Sequence, residues 1–196
     1  AQLLEAQMIK LQQPLFNKRL RKNRQLCSLQ LGDGAPQVVY AKDLDFSCSP
    51  NLYGLFRSRF AAMEKLKTIA DEQRLCHGLL GLERLTPGRG CFRAALKRCA
   101  GACCGNESLE AHQQRWHQAL EQMRVVCWPW QGPVGMVEVG TAMTQIHVID
   151  HWFWLGSVAT EAEARQLQRA RQGFDHDGYK ILCRPLLSGV FPLIEL

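Results

Sequence analysis

At 196 residues, 46% hydrophobic and 21% charged, the chain has the composition of a globular protein with room for one or two small domains around cores of their own. The longest apolar candidate, Ile146 to Val158, is broken by His147, Asp150 and His151, so no segment supplies the roughly 20 apolar residues that cross a bilayer, and a membrane protein is excluded. The net charge of +6 is uneven: residues 1–30 hold six basic and one acidic residue and 57–99 hold ten basic and four acidic, so the positive field lies in the first half, as expected of a surface that meets a polyanion.

Residues 3–13 read as helix interior with no N-cap residue ahead of them, so the chain is expected to be cut from a longer one. At about 100° per residue, Leu4, Met8 and Leu11 share a face, and Glu5 lies beside that stripe as either a flank residue or a functional acid. Pro14 stops the helix. After Asn17 come Lys18, Arg19, Arg21, Lys22 and Arg24, five positive charges in seven residues. That density fits phosphate contact as well as it fits a solvated face.

Leu26, Leu29 and Leu31, then Val38, Val39 and Tyr40 across a Gly32–Pro36 turn, predict a strand pair. Phe56, Phe60, Met63, Leu66 and Ile69 or Ala70 recur at helical spacing, with Arg57, Arg59, Lys65 and Lys67 turned away. The predicted helix leads into Cys76. Cys76, Cys91, Cys99 and Cys103 form C-x14-C-x7-C-x3-C, with Cys104 directly behind. Structural zinc usually draws ligands in close pairs, and only Cys99 and Cys103 are that close. The wider intervals suit an iron-sulfur cluster, although four buried thiols are the plain alternative, as they are for Cys27, Cys48, Cys127 and Cys183. Arg89, Arg93, Lys97 and Arg98 are expected to lower the thiol pKa values and favour the metal-binding thiolates. With nine cysteines, an odd count, and no secretory leader, a disulfide framework is not expected.

Asn106 is expected to cap a helix with Glu107 and Glu110 in its first turn and with Leu109, Trp116, Leu120 and Met123 on its face. His112 and His117 read as surface residues. Trp128, Pro129, Trp130, Gly132 and Pro133 mark a boundary. Beyond it, Ile146 to Leu155 reads as one buried strand. Thr160 starts a short helix, and Asp177-Gly178 signals a turn into a strand from Tyr179 to Cys183. His147, His151, Asp175, His176 and Asp177 could form a metal site, but a turn and a strand edge explain them more simply.

Two stretches carry a resemblance. LLEAQMIKLQQPLFNKRLR, Leu3 to Arg21, resembles the end of the GIY-YIG module in the UvrC family of excision-repair nucleases, and CFRAALKRCAGACCG, Cys91 to Gly105, resembles that family's cysteine segment. The resemblance implies an α+β chain: residues 1–25 as the C-terminal end of the nuclease module, 26–56 a strand-rich connector, 57–127 a helical cysteine-cluster region and 128–196 a small α+β domain. It also implies Glu5 as ligand to a divalent cation (Mg or Mn), Asn17 as an active-site residue, and Cys76, Cys91, Cys99 and Cys103 as ligands of a 4Fe-4S cluster. The implied partners are damaged double-stranded DNA and the UvrA and UvrB that mark it, with incision on the 3′ side of the lesion in the bacterial cytoplasm. No GIY or YIG triplet occurs in these residues, RKNRQLC stands where the family has an RDDKSYP-like run, and neither a second nuclease half nor a UvrB-binding hairpin is recognisable. The chain by itself is therefore expected not to cut DNA. The alternative is a non-catalytic nucleic-acid-binding module with structural zinc, in which Glu5 is a plain helix residue.

Overall fold

A computed structural model describes residues 2–12, 25–32, 34–86, 89–141, 143–167 and 173–196. Asn17, Lys18, Arg19, Arg21, Lys22 and Arg24 lie outside the described residues. The chain is α+β, as expected, and divides into two compact units, one of residues 25–44 and 50–125, the other of 1–24, 45–49 and 126–196.

In the first unit the predicted strand pair is present. Strand β1 (Cys27–Gln30) runs antiparallel to β2 (Gln37–Tyr40) on one edge and to β3 (Leu52–Phe56) on the other, so the sheet order is β2-β1-β3. Helix α2 (Arg59–Glu72) begins where the Ser58 hydroxyl accepts the Ala61 N–H at 3.2 Å, and it buries Ala62, Leu66, Ile69 and Ala70. The predicted stripe began too early: Phe56 belongs to β3, and Phe60, in the first turn after the cap, is 75% exposed. Helix α4 (Leu109–Glu121) is capped by Ser108, whose hydroxyl accepts the Ala111 N–H at 3.1 Å, and not by Asn106. Its buried stripe is His112, Trp116 and Leu120, spaced four apart, so His112 is a core residue rather than a surface one, and Leu109 is exposed. Leu29, Tyr53, Leu66, Leu75, Trp116 and Leu120 share one core. The chain leaves α4 alongside β3, with the Gly54 N–H donated to the Met123 carbonyl at 2.7 Å and the Val125 N–H to the Leu52 carbonyl at 2.8 Å.

The second unit is built on a four-stranded antiparallel sheet of order β6-β5-β4-β7, from β4 (Val134–Val139), β5 (Thr144–Asp150), β6 (Phe153–Val158) and β7 (Leu193–Glu195). The single strand predicted over 146–155 is two strands. Asp150 pairs with Phe153 across a turn made by His151 and Trp152, both in the left-handed region (φ 49° and 67°), where side-chain-bearing residues are uncommon. Burial holds this turn: Trp152 is fully buried, donates its indole N–H to the Val126 carbonyl at 3.1 Å, and meets Trp128 and Tyr179 edge-on. The strand predicted from Tyr179 to Cys183 is instead part of helix α6 (His176–Leu187). Asp175 caps it through the Asp177 and Gly178 N–H groups, and Gly178, Leu182 and Leu186 form its buried face. Gly178 permits close approach rather than a turn, since a Cβ there would lie 2.6 Å from the Trp152 carbonyl oxygen. The helix expected at Thr160 is present as α5 (Glu161–Ala164), with Thr160 and Glu163 forming a reciprocal capping box. Helix α1 (Gln2–Gln12) sets Leu3 against the core that includes Leu182 and Leu186 and buries Ala6. Leu4 and Met8, the predicted apolar face, are exposed. Among the described residues no helix is long and apolar enough to cross a membrane.

Candidate metal centre

Cys76, Cys91, Cys99 and Cys103 converge, and their sulfur atoms all lie within 4.8 Å of one another. The local chain explains how residues so far apart in sequence meet. Helix α2 stops at Gln73, Arg74 takes a left-handed φ of 51°, and the Leu75 N–H returns to the Ala70 carbonyl at 2.8 Å, which drives the fully buried Leu75 and Cys76 inward. Cys76 is then held at both ends of its backbone. Its N–H donates to His112 Nε2 at 3.0 Å and its carbonyl accepts the Leu80 N–H at 3.1 Å. Because Nε2 accepts, the proton of this neutral imidazole sits on Nδ1, and burial pushes its pKa down, consistent with a neutral ring.

Cys91 caps a short helix, α3 (Phe92–Ala95), its sulfur accepting the Ala94 N–H at 3.3 Å. The Ala100 N–H donates to the Arg74 carbonyl at 3.0 Å and ties the Cys99 segment to the end of α2. The Cys99 sulfur accepts the Gly101 N–H at 3.3 Å, and the Cys103 sulfur accepts the Cys91 N–H at 3.2 Å. Gly101 has a φ of 94°, and a Cβ there would stand 2.7 Å from that of Asn106. Only glycine fits there. Cys104 faces elsewhere: it is exposed, and its thiol donates to the Gly101 carbonyl at 3.4 Å.

The thiol electrostatics come from burial and from the thiols themselves. Burial, joined by the Cys103 sulfur, pushes Cys76 up to about 11, and burial raises Cys91 as well. Burial alone would also raise Cys103, but the Cys91 N–H donated to its sulfur, together with hydrogen bonding from the neighbouring Cys76, Cys91 and Cys99 thiols, holds it below the ordinary value. The expected arginine effect is not the cause. Arg93 is bound to Asp71 at 2.9 Å, sharing that carboxylate oxygen with His77 at 2.9 Å, while Arg89, Lys97 and Arg98 are exposed.

Four thiolates are the donor set of both structural zinc and iron-sulfur clusters, and three N–H···S bonds suit either. A tetrahedral zinc with sulfurs at about 2.3 Å sets its ligands about 3.8 Å apart, within the 4.8 Å span of these four, and the same four thiols are the usual donor set of an iron-sulfur cluster.

Glu5 is an exposed residue of α1. His147, His151, Asp175, His176 and Asp177 do not make a common site: His147 lies between Glu138 (2.7 Å) and Ser157 (2.6 Å), His151 meets Asp150, Asp175 caps α6, and His176 faces Asp177 at 3.3 Å. Among the described residues the four cysteines are the one group placed to share a metal ion. Of the remaining cysteines, Cys27 is buried and Cys127 and Cys183 are half-buried, but Cys48 is exposed, contrary to the reading of all four as buried. His112 was missed. Its signal was the four-residue spacing with Trp116 and Leu120.

Residues 18–122 match the middle domain of the UvrC/Cho excinucleases, and residues 133–196 match the excinuclease Cho C-terminal domain. The chain belongs to the UvrC/Cho excinuclease family. Over all 196 residues it is 64% identical to excinuclease Cho of Escherichia coli (strain K12), 63% to that of Shigella flexneri and 59% to that of Salmonella typhi. It spans 66% of the length of the first two relatives and 67% of the third. No solved structure matches it.

Proposed function

We propose that this chain is the cysteine-centre and DNA-contacting part of an excinuclease that incises a damaged DNA strand on the 3′ side of a lesion in nucleotide excision repair. The observation that carries this is the convergence of four thiols inside a basic unit, in a chain 64% identical to an excinuclease. The working compartment is the bacterial cytoplasm, and the substrate is damaged duplex DNA marked by UvrA and UvrB.

Phosphodiester hydrolysis needs a base-activated water in line with phosphorus and positive charge to hold the developing oxyanion. Glu5 is the proposed ligand to a magnesium or manganese ion, which supplies that charge when bound; an exposed carboxylate offers the hard oxygen such ions take and leaves other positions to water and phosphate. Asn17 orients water or substrate. Lys18, Arg19, Arg21, Lys22 and Arg24 contact phosphates. Cys76, Cys91, Cys99 and Cys103 hold an iron-sulfur cluster that cross-links the end of α2, α3 and the Ala102–Cys104 turn into one rigid surface. The same compact set of four sulfurs also accommodates a second reading, a structural zinc in a module that binds nucleic acid without cutting it.

Incision assays on a lesion-bearing duplex with UvrA and UvrB separate these readings. The full-length protein is expected to cut 3′ of the lesion and to lose the cut in Glu5→Gln, while the 196-residue chain binds without cutting. Full-length protein that binds but never cuts would favour the module. Glutamate-dependent nicking by the chain alone would contradict the expectation that these residues do not suffice to cut DNA.

A further inference from the structure

Helix α3 hangs directly from the cysteine centre through its N-cap, Cys91. Phenylalanine and leucine are ordinarily buried, yet on this helix and its C-cap Phe92 is 68% and Leu96 49% exposed. They are four residues apart, and the Leu96 N–H bonds back to the Phe92 carbonyl at 3.3 Å, so they stand together on one side. The helix closes with Lys97 at a φ of 58° and with the Arg98 N–H donated to the Arg93 carbonyl at 2.8 Å. Glycine usually takes that left-handed position, so the lysine adds a charge where the turn does not need one.

The surroundings are cationic. Residues 84–104 contain five basic residues and no acidic one, and Arg89, Lys97 and Arg98 are exposed, with no ion pair engaging them among the described residues. The neighbouring carboxylate, Glu83, accepts the Phe92 N–H at 3.1 Å. An apolar protein surface docking here would have to desolvate those cations without compensation. DNA supplies phosphates for the cations and flat base faces for the ring, so charge complementarity selects it as the occupant.

We propose that Phe92 and Leu96 form a wedge that enters between base steps of duplex DNA, with Arg89, Lys97 and Arg98 on the flanking phosphates and Cys91 anchoring the wedge to the metal centre. The inference rests on the reading of this chain as DNA-binding. Apolar side chains inserted at a base step unstack it and bend the duplex, and the cost is lowest where pairing or stacking is already damaged. The wedge thus turns a general affinity for phosphate into a preference for distorted DNA.

The test uses the metal-loaded chain with two duplexes, one fully paired and one with an unpaired base beside 2-aminopurine, and follows affinity, salt dependence and 2-aminopurine fluorescence. Binding by the parent chain is expected to raise the fluorescence. Phe92→Ala should abolish the rise and reduce the preference for the distorted duplex about tenfold, with the salt slope unchanged, and Phe92→Trp should restore both. Arg89→Gln, Lys97→Gln and Arg98→Gln together should flatten the salt slope by about one for each lost phosphate contact. Metal content equal to the parent's verifies the fold of each variant. A Phe92→Ala protein that keeps both the fluorescence rise and the preference overturns the wedge while DNA binding stands. A parent chain with no salt-dependent DNA binding overturns both.

Discussion

The hydrogen bond from Cys76 N–H to His112 Nε2 joins the end of α2 to the first buried turn of α4, and removing it yields a graded prediction. Both residues are nearly inaccessible, at 0% and 4% exposure, so without an acceptor the Cys76 N–H is stranded away from water. A stranded buried amide costs about 1–3 kcal/mol. His112→Leu keeps most of the volume and the helical preference while deleting the acceptor, so it should destabilise the metal-free chain by that amount. His112→Ala also opens a cavity on the buried face of α4 and should cost about 3–5 kcal/mol in all. His112→Gln offers an amide oxygen in place of the ring nitrogen and should recover part of the loss. Denaturant unfolding of the metal-free proteins measures the series, and chelator competition on the loaded proteins reports how firmly Cys76 is held. If His112→Leu equals the parent in both stability and metal retention, the bond does not position the ligand.

Cys103 and Cys104 are adjacent but not equivalent: Cys104→Ser should leave metal content unchanged, whereas Cys103→Ser, like Cys76→Ser, should strip the centre, as metal analysis after gel filtration will show. Neutralising Lys18, Arg19, Arg21 and Lys22 to Gln should weaken binding to every DNA sequence and lower the salt slope by about one per lost contact; an unchanged slope would make the run a solvated face. In the α5 capping box, hydrogen bonds from Thr160 and then Ala159 hold the Glu163 carboxyl below its ordinary 4.5. A folded-state pKa that is lowered means the unfolded chain binds the proton more readily, so this contribution is complete above pH 4.5 and is lost as pH falls below it. Glu163→Gln should therefore reduce the acid dependence of Tm, and an identical profile would contradict the cap.

The predictable parts of the fold are those where one local signal is unopposed. Ala62, Leu66, Ile69 and Ala70 repeat at helical spacing after a serine cap, and β1 and β2 flank a turn rich in glycine and proline, so both were legible. The hairpin between β5 and β6 was not, because His151 and Trp152 occupy left-handed positions that usually announce themselves with Asn or Gly; burial of the Trp152 indole outweighs the local preference. Gly178 misled in the opposite direction. It reads as a turn residue after Asp177, but its missing side chain makes room for the Trp152 carbonyl, and the helix is announced by Asp175 and by the spacing of Gly178, Leu182 and Leu186. At the centre, cysteine spacing identified the four sulfurs that converge. It carried nothing about the N–H groups that hold them, because Cys76 and His112 meet only through the packing of α2 and α4 on one sheet.

The most direct test of a shared inorganic centre is quantitative iron, sulfide and zinc analysis of the chain purified without oxygen, with the absorption spectrum taken before and after exposure to air. A brown protein carrying iron and sulfide together, bleaching in air and lost in Cys76→Ser, is the predicted result. Stoichiometric zinc in a colourless protein would keep the four-sulfur site and replace the cluster. A folded chain with neither metal would contradict the account.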